Sequence, residues 1–199
     1  MSRTRATDFE EKQRGLLMSA AEVFAEVGME KASMSLIAKH ASVSKSLLYH
    51  YYPSKEELIF AIISTHLEDL VAAIEEADDE TLPPQKRLRQ LVGTVLECYK
   101  GADNAHKVQL NAAWALPDDK RQQIYTIERG IVKRFSRVLR EINPDLDNAE
   151  RPLLTPVTMS LFGMINWVYM WFKDGGKITR EDYADVATTL ILEGIKAVR

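Results

Sequence analysis

The sequence predicts an all-α protein of nine helices, and three observations predict it. Apolar residues recur at three- and four-residue intervals over most of the chain. Strict apolar–polar alternation, the mark of a half-buried strand, is nearly absent. Only 9 glycines and 7 prolines punctuate 199 residues, which leaves room for long helices.

The first helix carries Leu17, Ala20, Ala21, Phe24 and Val27 on one face. Gly28 closes it, since a glycine accepts the left-handed conformation of a helix end. Ser33 is placed to cap a short second helix with Ile37, Ala38 and Ala41 inward. Ser44 caps a third that runs to Tyr51 or Tyr52, where Pro53 forces a break. Ser54 caps a fourth, and Glu57 at its third position completes a capping box. The fourth helix buries Leu58, Ile62, Ile63, Leu67, Leu70 and Ile74. The acidic run EEADDE and the LPP at 82–84 mark a connection. A fifth helix holds Leu88, Leu91, Val92, Val95, Leu96 and Tyr99. A short sixth lies around Val108–Leu116, stopped by Pro117. A long seventh carries Ile124, Ile127, Ile131, Phe135, Val138 and Ile142 and ends at NPDLD. The last two span roughly 151–173 and 180–198, the second carrying Ala187, Ile191, Gly194, Ile195 and Val198, parted by the turn KDGGKIT. Residues 1–53 read as a small N-terminal domain and 54–199 as a larger one, with the helix 54–78 bridging them.

The second and third helices, joined by a tight turn and packed on the first, form a helix-turn-helix unit. Ala38 and Ala41 are small where two helices cross. Leu48 and Tyr52 point back towards Phe24 and Ile37. That leaves Lys45, Ser46, Leu47, Tyr49, His50 and Tyr51 around the free face of the third helix. Such a face fits a DNA major groove. Lys45 suits guanine acceptors or phosphate, Ser46 either, and Leu47 a thymine methyl. Ser33, Tyr49, His50 and the N–H groups at Ser54–Lys55, at a helix start, suit phosphates, and Ser44 is a further DNA-binding candidate. Arg3 and Arg5, in an N-terminal arm, can follow the backbone or reach a minor groove.

Composition sets the limits. The net charge of −3 excludes a protein that coats nucleic acid over its whole surface. Residues 1–55 nevertheless hold eight Lys or Arg against six acids, a balance of +2 that leaves −5 for the remainder. Cys98 stands alone, which excludes an internal disulfide and fits a reducing, cytoplasmic compartment. No basic-then-apolar leader pattern opens the sequence. An enzyme has little to draw on: no Gly-rich phosphate loop, no nucleophile elbow, and four histidines (His40, His50, His66, His106) without zinc-like spacing. No catalytic residue, metal or cofactor is assigned. The alternatives are a small helical enzyme or a ligand-binding dimer that does not bind DNA.

LLMSAAEVFAEVG in the first helix, SLIAKHASVSKSLLYHYY across the second and third, and PSKEEL opening the fourth resemble, in register over residues 14–60, the DNA-binding domain of TetR-family transcriptional repressors. The nine-helix count agrees with that family's architecture. Ser42 departs from it, standing where the family has a glycine in the turn; a serine reaches that conformation at some cost. The resemblance implies a two-fold dimer on operator DNA, released when a small ligand enters the C-terminal domain.

The stretch LLTPVTMSLFGMINWVYMWF is uncharged and long enough for a membrane span, but its Thr, Pro, Ser and Asn and the want of a second span favour a helix buried against a partner. With the final helix it makes half of an intermolecular four-helix bundle, where Gly163 and Gly194 permit close approach. Polar tips and rings in the central helices mark an effector pocket: Tyr99, His106, Gln109, Asn111, Trp114, Tyr125, Phe162, Asn166, Trp167, Tyr169 and Met170. They suit an apolar or aromatic ligand with a few polar handles. The row Arg129, Lys133, Arg137 and Arg140 raises the further idea of an acyl-CoA, its phosphates on this stripe.

Overall fold

The computed structural model describes the backbone of residues 2–197 and the side chains of residues 11–197. All regular structure among them is helical: α1 Ser2–Val27, α2 Met34–His40, α3 Lys45–Tyr51, α4 Lys55–Ala77, α5 Pro84–Cys98, α6 Asp103–Ala112, α7 Asp118–Ile142, α8 Leu154–Asn166, α9 Val168–Trp171 and α10 Arg180–Gly194. Two single 3-10 turns follow α6 and α7. Counting α8 and α9 as the one helix expected there gives the expected nine.

The starts and stops are mostly those the residues dictate. Ser33 and Ser44 accept from the N–H of Leu36 and Leu47, three residues on. Gly28 takes φ 79° beyond α1, and its N–H donates to the Phe24 carbonyl at 3.1 Å. Thr179 and Asp182 close a reciprocal capping box at the start of α10. The box expected at α4 is only half made. The Glu57 N–H donates to Ser54 Oγ at 3.1 Å, but the Glu57 carboxylate accepts from Lys120 instead of reaching back.

Three expectations are corrected. The helix expected at 151–173 is interrupted at Trp167, where the Met170 N–H donates to the Trp167 carbonyl in a three-residue turn. The sixth helix begins at Asp103, well before Val108. Helix α1 begins at Ser2, where an irregular arm was expected; the side chains of Arg3 and Arg5 lie outside the described residues, as does Val198.

The chain forms two compact units. The first comprises Met1–Leu67 with Ala102–Tyr125. Its core joins Leu17, Phe24, Ile37, Leu48, Ile59 and Ile63 to Val108 and Ile124, all buried. In it α1 lies against α2 and α6, and α2 against α3. The second comprises Glu68–Gly101 with Thr126–Arg199 and is centred on Leu88, Leu91, Leu96, Phe135, Leu161 and Ile165. There α10 lies against α5 and α8. Arg180, buried at the start of α10, donates to the Leu96 carbonyl at 3.0 Å and pairs with Asp174, so α10 is pinned to the end of α5.

Candidate nucleic-acid interface

The local build of α2 and α3 decides which side chains are free. In α3, Leu48 is fully buried and Tyr52, just past the helix, is buried with its hydroxyl accepting from Gln13 Nε2 at 3.2 Å. These two anchor the helix by its underside, and burial pushes the Tyr52 hydroxyl pKa up. Lys45, Ser46, Leu47, Tyr49 and His50 are all exposed around the rest of the helix. Five of the six side chains expected on the free face are thus open, while the sixth, Tyr51, is half-buried with its ring near those of His50 and Tyr52.

The turn between α2 and α3 is tight. The Val43 N–H donates to the Ala38 carbonyl at 2.9 Å and the Ser42 N–H to the Lys39 carbonyl at 3.2 Å. Ser42 has φ 55°, the one positive φ outside glycine among the described residues. The left-handed turn that glycine would favour is thus made by a serine, as the family resemblance implied.

Ser33 and Ser44 are exposed and spend their oxygen lone pairs on capping, which leaves each hydroxyl hydrogen for another acceptor. Lys55 is half-buried, and its ammonium donates to the carbonyl of Met29 in the turn after α1. Two more lysines act from outside the helix-turn-helix. Lys107 of α6 donates to the Ala25 carbonyl at 2.7 Å, in the last turn of α1 where helix carbonyls lack partners. Lys120 of α7 meets the Glu57 carboxylate and lies 4.6 Å from the Phe60 ring centroid. Sequence reasoning missed both. No local signal marks them, because their acceptors lie 82 and 63 residues away.

The residues expected to line a pocket separate into groups. In the first unit, His106 and Gln109 are buried, with His106 Nδ1 and Gln109 Oε1 3.3 Å apart. His66, also buried, lies with its ring centroid 5.7 Å from that of His106. His66 was passed over, yet it sits in phase with Ile62, Ile63 and Leu70 on the apolar face of α4, which is the signal that finds it. Trp114 is 66% exposed, its indole N–H donating to the Asn111 carbonyl, and Tyr125 is exposed. In the second unit, the Tyr99 hydroxyl donates to Asn166 Oδ1 at 2.9 Å, and burial pushes the Tyr99 pKa well above its usual value. Phe162 packs edge-on against Phe135, with centroids 5.0 Å apart. Trp167 and Met170 are each 57% exposed, and Tyr169 stacks edge-on against Trp167. Among the described residues, no three His, Cys, Asp or Glu side chains gather as a metal site. No helix among them is long and apolar enough to cross a membrane.

Comparison with known proteins agrees with this geometry. A family model described as bacterial regulatory proteins, tetR family, matches residues 16–62. Another, described as tetracyclin repressor-like, C-terminal domain, matches residues 81–195, more than half of the chain. The chain is 39% identical over 83 residues to the HTH-type transcriptional activator FasR of Mycolicibacterium smegmatis, a match that spans 42% of this chain and only 38% of that protein. It is 25% identical over 194 residues to the HTH-type transcriptional repressor KstR2 of Mycobacterium tuberculosis, covering 90% of each. A crystal structure of a TetR-family transcriptional regulator from Bordetella parapertussis is similar at 32% identity and a TM-score of 0.84, covering 92% of this chain and 95% of that one.

Proposed function

The chain belongs to the TetR family of bacterial regulatory proteins, and from that premise we propose that it is a cytoplasmic, dimeric repressor that a small molecule removes from its operator. The open face of α3 carries this reading: Lys45, Ser46, Leu47, Tyr49 and His50 stand exposed over a fully buried Leu48. Lys45 and Ser46 read base edges, while Tyr49, His50, Ser33 and Ser44 hold phosphates. Lys55 donates to Met29 and retains two N–H groups for a phosphate. Residues 1–53 are the reading head and 54–199 the sensing and pairing domain, with α4 as the bridge.

Pairing is through α8 and α10. Met159 of α8 and Val186 and Leu190 of α10 are large apolar side chains left exposed. Gly163 and Gly194 are exposed too, and a Cβ at either would meet nothing within 4 Å, so packing within the chain does not call for glycine there. A second copy approaching closely does. Two heads held about 34–36 Å apart meet successive major-groove faces.

The effector is a small apolar or aromatic molecule. His66, His106 and Gln109, buried in the first unit, are the polar groups that can orient it. It releases DNA only if it binds the DNA-incompetent arrangement more tightly. An acyl-CoA would need exposed cations for its phosphates. Arg129, Lys133, Arg137 and Arg140 are all exposed, and Arg137 and Arg140 also face Glu80 at 3.9 Å and Asp147 at 2.8 Å. Titration with an acyl-CoA and the matching free acid tests that choice, and equal or absent binding of both removes the thioester.

The function itself is tested by gel shift on DNA flanking the protein's own gene. The expected result is specific binding that weakens steeply with salt. Lys45→Ala should lose affinity and some specificity; Tyr49→Phe should weaken all sequences alike. Parent-like binding by both variants would remove α3 from the interface.

A further inference from the structure

The end of α1 sets its side-chain charges against its own dipole. The last turn of a helix carries a partial negative charge on its terminal carbonyls, and a lysine or arginine there is favourable. The last turn of α1 holds no basic residue and carries Glu26 instead. Glu30, exposed in the turn that follows, adds a second carboxylate. The fold supplies a cation from elsewhere: the Lys107 ammonium of α6 donates to the Ala25 carbonyl at 2.7 Å.

A cleft of about 560 Å³ opens at the same place, a size that suits a small molecule. One wall is the end of α1 and the turn through Lys31, and the other is formed by Lys107, Asn111 and Trp114. Trp114 is 66% exposed, so most of an indole ring is open to a ligand. Lys107 and Asn111 leave α6 on a different side from buried His106 and Gln109, which sets the cleft apart from the effector site proposed above. Among the charged residues that line it, Glu26 and Glu30 balance Lys31 and Lys107. The helix end then leaves an excess of roughly half a negative charge.

We propose that this cleft binds a small organic cation, a primary ammonium group carried on an apolar or aromatic body. Lys107 marks the chemistry, since an ammonium from another part of the chain is already held by the end of α1. A ligand's N–H groups are accepted by the Glu26 and Glu30 carboxylates, and its body lies on the Trp114 ring, where an indole face also attracts a cation. The site goes beyond the regulatory reading and does not depend on it.

The test is calorimetric titration of the full-length protein with 2-phenylethylammonium, against 2-phenylethanol as its uncharged counterpart and 3-phenylpropionate as its anionic one. The ammonium should bind about tenfold more tightly than either, and added salt should weaken it. Trp114→Ala should weaken ammonium binding about threefold. Glu26→Gln with Glu30→Gln should weaken it about fivefold. All three side chains are exposed, and taking an acid off a helix end relieves it, so the melting temperatures of the free variants should not fall. Equal binding of the three compounds, absence of ammonium binding at millimolar concentration, or parent-like affinity in both variants overturns the proposal. None of these results bears on operator binding, which the gel shift reads separately.

Discussion

Asp78, at the end of α4, offers the largest stability effect that the structure allows to be worked out. Its side chain is only 3% exposed. One carboxylate oxygen accepts from Arg87 Nε at 2.5 Å and the other from Arg134 Nη1 at 2.7 Å. The Arg87 side chain is 4% exposed and also faces Glu80 and Glu141, each at 3.3 Å. Removing one member of a buried ion pair leaves the other charged and dry, at a cost of roughly 3–5 kcal/mol. Glu80 and Glu141 remain beside Arg87, and both are exposed, so the lower end applies. Asp78→Ala should therefore lose about 3 kcal/mol in urea unfolding at fixed protein concentration, with a melting temperature about 10 °C lower. Asp78→Ala with Arg87→Met should be less damaged than Asp78→Ala alone, because no guanidinium is then stranded. A single-variant loss below about 1 kcal/mol, or a double variant worse than the single, would refute the reasoning.

Acid probes the same carboxylate independently. The hydrogen bond from Arg87 holds the Asp78 pKa below the usual carboxylate range, against desolvation and aided by Arg134. A depressed folded-state pKa means that the stabilisation is complete above the unfolded value of about 3.9 and is lost as pH falls through the folded value. Asp78→Asn should lack that portion of the acid loss, so its stability curve should lie below the parent's at neutral pH and approach it in acid.

Three further outcomes are expected. Ser42→Gly should raise stability by about 0.5–1 kcal/mol in thermal unfolding, since glycine accepts φ 55° without a Cβ clash, whereas Ser42→Val should lower it. Tyr99→Phe should cost about 1–2 kcal/mol, because Asn166 Oδ1 loses a buried donor, and a partner change of that size is readable in urea midpoints. Met159→Glu with Leu190→Glu should convert the dimer to monomer in sedimentation and weaken operator binding at least tenfold, while circular dichroism stays helical; an unchanged dimer would place the interface elsewhere.

The head was legible in the sequence because its determinants are local. A capping serine, the N–H it satisfies and the apolar phase behind it all lie within five residues, as at Ser44, Leu47 and Leu48. The strained turn at Ser42 was visible only through the family resemblance, which places a glycine there; nothing in the serine itself marks a left-handed position. The break at Trp167 could not be seen. Neither proline nor glycine stands there, and the three-residue turn from Met170 to Trp167 is a backbone choice that the apolar pattern of 153–172 does not encode. Partners across long separations were equally hidden. Asn166 was expected to line a pocket, and nothing near it in the sequence pointed to Tyr99, 67 residues away.

Lysine shows the same limit in a form that bears on function. Counting basic residues near the helix-turn-helix treats each as a candidate for phosphate, yet the fold assigns several to backbone and carboxylate acceptors. Lys55 donates to Met29 and Lys107 to Ala25, so the end of α1 and the turn after it are held by ammonium groups from α4 and α6. Lys120, from α7, holds Glu57 one turn into α4. Lys55 keeps two N–H groups for a phosphate, but a cation that only fixes the head contributes to DNA binding through geometry and leaves little trace in the salt slope, which counts only phosphates neutralised. Lys45, exposed on α3, has the opposite signature. Lys107→Met and Lys45→Met are therefore expected to part company in one measurement: both weaken operator binding, but only Lys45→Met lowers the slope of log affinity against log salt, by about one. A fall in slope for Lys107→Met would make that lysine a phosphate ligand and not a brace.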